Sequence, residues 1–296
     1  MKLFTKEKAG SRRIIKICGL KFEYNRAQKY DYKPVTESGL TDNPREKKLI
    51  ISLTSFPDRI PTLHICLASI MQQTLKPDLI LLWLAREQFP NGEADLPEEI
   101  LKLKNFGLTI RWCHNIRSYK KLIPALREFP EDIIVTCDDD IFYHREWLER
   151  LYKSYLENPG FVHCHRANKL KIKDNKFKFK YEKNYNHPSY AHKLTGGGGV
   201  LYPPHALYKD ITDEKLFMEL APTNDDVWFW IMSVLNDTRT IVVKNSIKRP
   251  IIIEETFSGP CLCEINNHGE KLHDIQLENV LKYYEGVREK ILADMK

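Results

Sequence analysis

The sequence contains no C-x-x-C pair, no G-x-x-x-x-G-K-[ST] phosphate loop, and no G-x-G-x-x-G after its first strand-like run. These absences argue against a zinc ribbon, a thioredoxin-like dithiol, a Walker nucleotide site and a Rossmann dinucleotide site. No apolar stretch approaches the roughly 20 residues of a membrane span, and the N-terminus shows no signal-peptide h-region with a cleavage site. The expectation is a cytoplasmic chain, soluble or held peripherally at the inner face of the cell membrane. Internal repeats and low-complexity tracts are also missing, so a solenoid or a disordered tail is not expected. The seven cysteines form an odd set, best read as reduced thiols. Cys261-x-Cys263 near His268 and His273 does not have a usual zinc spacing.

What is present is enough to bury a core: 296 residues, 42% of them hydrophobic and 11% aromatic. Charge is unevenly placed. Residues 1–33 carry ten Lys/Arg and three Asp/Glu, a net of +7 against +6 for the whole chain. Cations interleave with apolar residues over 12–22, a pattern suited to an arm on an anionic membrane surface. A solubilising tail, or a segment packed on the domain, would read the same way. No nucleic-acid-binding motif accompanies the basic stretch, so nucleic acid is not expected as a partner.

Residues 34–47 read as a linker. Strands are expected at 49–54, 78–84, 108–113, 132–137 and 200–202. Helices are expected at 61–74, 97–104, 119–128, 145–156, from about 224 onward, and at 274–293. Strands alternating with helices indicate a mostly parallel α/β sheet covered on both faces. Residues 169–180 alternate lysine with apolar residues around Asp174-Asn175, a hairpin signature.

Asp138, Asp139 and Asp140 follow the buried run 132–137, at the strand end where α/β sheets bind ligands. A helix cap needs one carboxylate, whereas three side by side repel unless a cation sits among them. Hard oxygen donors suit Mg²⁺ or Mn²⁺, usually shared with substrate phosphates. Gly196 to Gly199 let backbone approach a ligand closely, or form a turn. Asp225 and Asp226 fall in the first turn of a helix. The dipole favours them there, and either could also act as a general base. Lys120 and Lys121 open a helix at the same sheet edge, where either could meet a phosphate.

Thr54-Ser-Phe-Pro57 after the first strand, the Asp138-Asp-Asp140 cluster, the glycine run and Asn224-Asp-Asp-Val-Trp228 occur in that order. Together they resemble the GT-A nucleotide-sugar glycosyltransferases, especially bacterial enzymes of capsule or lipopolysaccharide synthesis. The resemblance spans about residues 12–290. It implies a GT-A-like (Rossmann-like) domain over 48–258, a basic arm and linker over 1–47, and a helical extension over 259–296. It further implies that Thr54, Ser55, Phe56 and Arg59 lie against the nucleotide, and that Asp138 and Asp140 hold Mn²⁺ or Mg²⁺ on the diphosphate. His268 or His273 would complete the metal site. Lys120, Lys121, Asp139, Gly197 and Gly198 would also face the donor. Asp226 takes the place of the base and Asp225 that of its acidic neighbour. Gly196–Gly199, Tyr202 and Trp228 or Trp230 would shape the acceptor side, with core packing on the helix the alternative for both tryptophans and the expected role of at least one. The implied partners are a nucleotide-diphosphate sugar and a glycan or lipid-linked glycan. Two rivals remain: a metal-dependent nucleotidyl or phosphoryl transferase, and a non-catalytic glycan-binding protein on the same fold.

Overall fold

Short runs of Leu, Ile and Val, too apolar for a half-exposed strand, make the centre of the molecule. The computed structural model describes residues 4–9, 12–17, 20–25, 29–173, 176–181, 187–247, 249–253, 266 and 272–295. In chain order the strands are β1 (Phe4–Ala9), β2 (Arg12–Ile17), β3 (Leu20–Asn25), β4 (Leu49–Thr54), β5 (Leu79–Ala85), β6 (Leu108–Cys113), β7 (Ile133–Thr136) and β8 (Ile141–Phe142). They continue with β9 (Val162–Cys164), β10 (Ala167–Lys173), β11 (Lys176–Tyr181), β12 (His192–Leu194), β13 (Val200–Tyr202), β14 (Thr240–Val242) and β15 (Ile251–Ile252).

Seven strands form the main sheet in the order β14-β9-β13-β7-β4-β5-β6. All neighbours run parallel except β13, which is antiparallel to both β7 and β9. The helices are α1 (Ile60–Met71), α2 (Glu98–Leu101), α3 (Ile123–Glu128), α4 (Trp147–Glu157), α5 (Glu214–Leu220), α6 (Asp225–Leu235), α7 (Leu272–Tyr283) and α8 (Val287–Asp294). This is the mostly parallel α/β sheet flanked by helices that the sequence led us to expect.

Alternation along each strand divides the core between the two faces of the sheet. Ile50, Leu81 and Ile134 join Trp228, Phe229 and Trp230 of α6 on one face. Leu49, Ile51, Leu53, Ile133 and Val135 join Leu63, Leu67 and Ile70 of α1 and Leu148 of α4 on the other. Two expected helices are divided. Residues 117–121 form a tight 3-10 turn before α3, which begins around Pro124. The expected helix over 274–293 breaks into α7 and α8 at Gly286, whose φ of 82° lies in the left-handed region. Both pieces are packed in, with Leu277, Val280, Val287 and Ile291 in the core beside α6.

The basic N-terminal segment forms an antiparallel three-stranded sheet, β1-β2-β3. Residues 34–47 lie against the domain. Gly39 N–H donates to Phe106 O at 2.8 Å, and Thr41 N–H to Pro77 O at 2.9 Å. Arg45 pairs with Asp78 at 2.8 Å. The expected hairpin forms from β10 and β11, with Lys171 opposite Lys178. The cysteines at 66, 113, 137 and 164 are free thiols, and those at 18, 261 and 263 lie outside the described residues. Among the described residues, no helix is long and apolar enough to cross a membrane.

Candidate active site

β7 delivers the chain through Cys137 directly into Asp138, Asp139 and Asp140. Their backbone is fixed from three sides. Asp138 N–H donates to Tyr143 Oη at 2.8 Å, the Cys66 thiol donates to Asp138 O at 3.4 Å, and Ile253 N–H donates to Asp140 O at 2.9 Å. On this fixed backbone the three carboxylates reach three different partners. Lys121 Nζ donates to Asp138 Oδ1 at 2.8 Å. Ser55 Oγ donates to Asp139 Oδ2 at 2.5 Å. Arg59 Nη1 lies 3.3 Å from Asp140 Oδ2.

Lys121 Nζ is also 2.8 Å from Asp225 Oδ2, so one ammonium ties the strand-end cluster to the start of α6. Asp226 faces the same space, and its Oδ1 accepts the Gly196 N–H at 2.9 Å. A Cβ on Gly196 would sit 2.8 Å from Lys121 Nζ and 3.0 Å from Asp226 Oδ1, which is why the backbone can come this near only as glycine. The run is then pinned by Trp147, whose indole N–H donates to Gly198 O at 2.9 Å. At Gly199 φ is +88°, and a Cβ would fall inside the same indole.

Negative charge is in excess here. Burial, then the charge of Asp140, pushes Asp139 up to about 7. Asp140 is raised by burial and then by Asp138. Asp226 is pushed to about 6 by burial and then by Asp225, with Lys193 and Lys121 acting against the rise. For Lys121 burial disfavours the ammonium, yet Asp138, Asp225 and Asp226 hold it well above the ordinary lysine value.

No protein-family model matches the chain, and no curated protein matches it. Solved structures do. The crystal structure of S. aureus TarS 1–349 is 16% identical, covering 82% of this chain and 73% of that one, with a TM-score of 0.49. A putative glucose-1-phosphate thymidylyltransferase from Bacillus anthracis, in complex with a sucrose, is 14% identical. It covers 66% of this chain and 85% of that one, with a TM-score of 0.36.

Of the other residues singled out in the sequence, Thr54 Oγ1 donates to Trp83 O at 2.8 Å, and Phe56 lies under the Arg59 guanidinium, 5.9 Å from its ring centroid. Lys120 and Lys121, equivalent in the sequence, separate. Lys120 turns away to Asn115 Oδ1 (3.2 Å) and Gln88 Oε1 (3.4 Å), and burial lowers its pKa. A Cβ on Gly197 would lie 3.3 Å from Asp138 Oδ2. His268 lies outside the described residues. His273 packs edge-on to Phe179 and reaches Asp274 at 3.4 Å; burial, then Lys193, lowers it to about 4. Among the described residues, no three His, Cys, Asp or Glu side chains converge as a metal cage.

The acceptor-side expectation for Tyr202, Trp228 and Trp230 is corrected: all three are core residues, at most 1% exposed. The α6 indoles satisfy their N–H groups internally, Trp228 on Ile211 O at 3.2 Å and Trp230 on Tyr190 O at 2.8 Å. A tryptophan with both its ring and its N–H satisfied inside has no role at a surface. The open space is elsewhere. A cavity of about 400 Å³ lies beside the glycine run, lined by Ile141, Phe142, Trp147 and Gly197 together with Lys29 and Arg249. Trp147 was legible only as a helix residue and Lys29 only as part of the basic N-terminal stretch, while nothing in the sequence singled out Arg249.

Proposed function

We propose that this chain is a glycosyltransferase, moving a sugar from a nucleotide-diphosphate donor to a hydroxyl of a bacterial surface glycan of the capsule or lipopolysaccharide kind. The observation that carries this reading is the Lys121 bridge between Asp138 and Asp225. It brings a strand-end acidic cluster, a helix-start acidic pair and a glycine run to one place. In this reading the loop of Thr54, Ser55, Phe56 and Arg59 receives the nucleotide. Lys121, Asp139, Gly197 and Gly198 border the diphosphate, with Lys120 behind them. Asp226 takes the proton of the acceptor hydroxyl. Its pKa of about 6 leaves it ionised at neutral pH, yet basic enough to accept a proton as the new bond forms. The Gly196 amide fixes one of its oxygens, and Asp225 holds Lys121 charged beside it.

A divalent cation fits these residues. Five carboxylates (Asp138, Asp139, Asp140, Asp225 and Asp226) face the nearby cations Lys121, Arg59 and Lys193, and burial, then mutual repulsion, raises Asp139 and Asp140. Asp138 and Asp140 would supply hard oxygens for Mn²⁺ or Mg²⁺, with the remaining ligands coming from the diphosphate. When bound, such an ion offsets the charge developing on the leaving diphosphate. The basic β1–β3 segment would hold the enzyme near an anionic membrane and a lipid-linked acceptor.

A panel of UDP-, GDP- and dTDP-sugars, and in parallel nucleoside triphosphates with sugar 1-phosphates, each incubated with and without Mn²⁺, tests the proposal. Sugar transfer releases the nucleotide from its sugar, which chromatography resolves. Release of pyrophosphate from nucleoside triphosphates instead would establish the nucleotidyltransferase rival. Binding without turnover across the whole panel would establish the non-catalytic one.

A further inference from the structure

We infer that the cavity beside the glycine run is an acceptor subsite for an anionic glycan, a sugar chain bearing phosphate or carboxylate groups. Its role as an acceptor site rests on the glycosyltransfer reading; its preference for anionic sugars does not.

Position comes first. Gly197 joins the cavity to the acidic cluster: it lines the cavity, and a Cβ on it would lie 3.3 Å from Asp138 Oδ2 and 3.4 Å from Ile141 Cδ1, another lining residue. Of the residues assigned to the donor only Gly197 and Gly198 line the cavity, at the edge it shares with the diphosphate; Thr54, Ser55, Phe56, Arg59, Lys120 and Lys121 do not, so the cavity lies beyond the nucleotide's own space. A volume of about 400 Å³ is in the range of small-ligand sites.

Composition decides the ligand class. The floor is buried and apolar, with Ile141, Tyr143 and Trp147 each at most 4% exposed. The rim is cationic: Lys29 and Arg249 are exposed, with the exposed His144 beside them. Among the described residues no Asp or Glu lines the cavity, although the acidic cluster is close by. Among the described residues, Lys29 and Arg249 make no salt bridge. An apolar floor suits the C–H face of a sugar ring. Two exposed cations above it suit an anionic substituent, which Arg grips in bidentate fashion and Lys as a point charge.

Three contacts set the edge of the cavity. Tyr30 stacks on Phe142, with ring centroids 5.2 Å apart, and so sets Lys29 at the rim. β15 pairs with β8, Ile251 opposite Phe142, and brings Arg249 to the same edge. Ile247 N–H donates to His165 Nδ1 at 3.1 Å and fixes the start of that segment.

The test uses the full chain and three soluble probes in calorimetry: a galacturonate tetramer, a phosphorylated maltotetraose and plain maltotetraose. The expected result is binding of one or both anionic probes, weakening as salt rises, and at least about tenfold tighter than plain maltotetraose. The comparison of the two anionic probes separates carboxylate from phosphate as the preferred group. Arg249→Ala and Lys29→Ala should each weaken the anionic probe about tenfold or more, and Arg249→Lys should retain part of the affinity. Both positions are exposed, and thermal melts check that the variants are folded. Equal affinity for plain maltotetraose, or anionic binding unchanged in both alanine variants, overturns the inference. So does binding to phosphatidylglycerol vesicles that needs these cations when neither anionic tetramer binds. Failure of every donor in the nucleotide-sugar panel would remove the glycosyltransfer reading but leave the anionic-sugar result standing.

Discussion

Lys121 meets Asp225 at 2.8 Å inside the protein, with the lysine side chain 6% and the aspartate side chain 9% exposed. The same ammonium reaches Asp138 at 2.8 Å. A buried cation shared by two carboxylates from distant parts of the chain is a joint: it holds the C-terminal edge of the sheet against the start of α6.

Removing that cation should be costly. Lys121→Met keeps much of the side-chain length and leaves Asp225 buried without its partner. Breaking a buried pair costs about 3–5 kcal/mol, and the partial exposure of Asp138 places this case at the lower end, about 3 kcal/mol. Urea denaturation measures it. A midpoint equal to that of the unaltered protein would mean that the two acidic clusters are held together by packing alone.

Asp226→Asn preserves size and an oxygen that can still accept the Gly196 N–H, but removes the proton acceptor. Donor affinity should survive, and transfer should fall about a hundredfold or more. The pH profile gives a second readout. With Asp226 held at about 6, transfer by the unaltered enzyme should rise as pH increases through 6 and level off above it. The variant should lose that limb. Near-normal transfer by folded Asp226→Asn would leave the aspartate a structural helix-start residue.

The sheet was legible because its strands are short, apolar and bounded by turn residues; β6 and β13 match the expected bounds residue for residue. The strand-end acids and the glycine run could be read for the same reason, since their positions follow from where a strand stops. What the sequence could not give was direction. Lys120 and Lys121 are neighbours of equal chemistry, and only the tight turn over Arg117–Lys121 sends one to Asn115 and the other into the acids. Trp228 and Trp230 looked like sugar platforms because aromatic side chains near an acidic pair suit either role. A helix buried almost all round settles them as core. The cavity escaped because Lys29, Trp147 and Arg249 meet only through the Tyr30–Phe142 stack and the β8–β15 pairing.

Acid should unfold this protein early, for a reason unrelated to the site. His163 and His165 lie in or beside β9, at most 1% exposed, and burial lowers both to about 4. The His165 ring is satisfied only when neutral: Nε2–H donates to Trp147 O at 2.9 Å, while Nδ1 accepts the Ile247 N–H at 3.1 Å. The unfolded chain takes up protons below about pH 6.5 and the folded one does not. Each ring's contribution is therefore complete above 6.5 and is lost progressively as pH falls toward 4, by about 3 kcal/mol per ring. Melting temperature measured from pH 7.5 to 4.5 should decline most steeply below 6.5. A flat profile across that range would mean that the rings are protonated in the folded protein.

The basic N-terminal sheet offers the last test. β2 and β3 pair Ile17 with Leu20 and Lys16 with Lys21, so that apolar and cationic side chains meet at one end of the ribbon. Ile17, Leu20 and Phe22 are 42%, 65% and 53% exposed. Apolar groups beside cations suit the interface of an anionic bilayer, where each cation contributes about 1 kcal/mol. Beyond this ribbon the chain is anchored to the domain by the Tyr30–Phe142 stack and by the Gln72 side-chain amide, which donates to Lys33 O at 2.8 Å. Deleting residues 1–28 cuts before both anchors. The intact protein should sediment with phosphatidylglycerol vesicles at low salt and be released as salt rises, since exposed charges are screened within about 10 Å at 0.1 M. The truncated protein should stay in the supernatant and melt at the same temperature. Equal sedimentation of both forms would place the membrane contact elsewhere. A large fall in melting temperature would show instead that the ribbon is part of the folded core, which explains its sequence without any membrane.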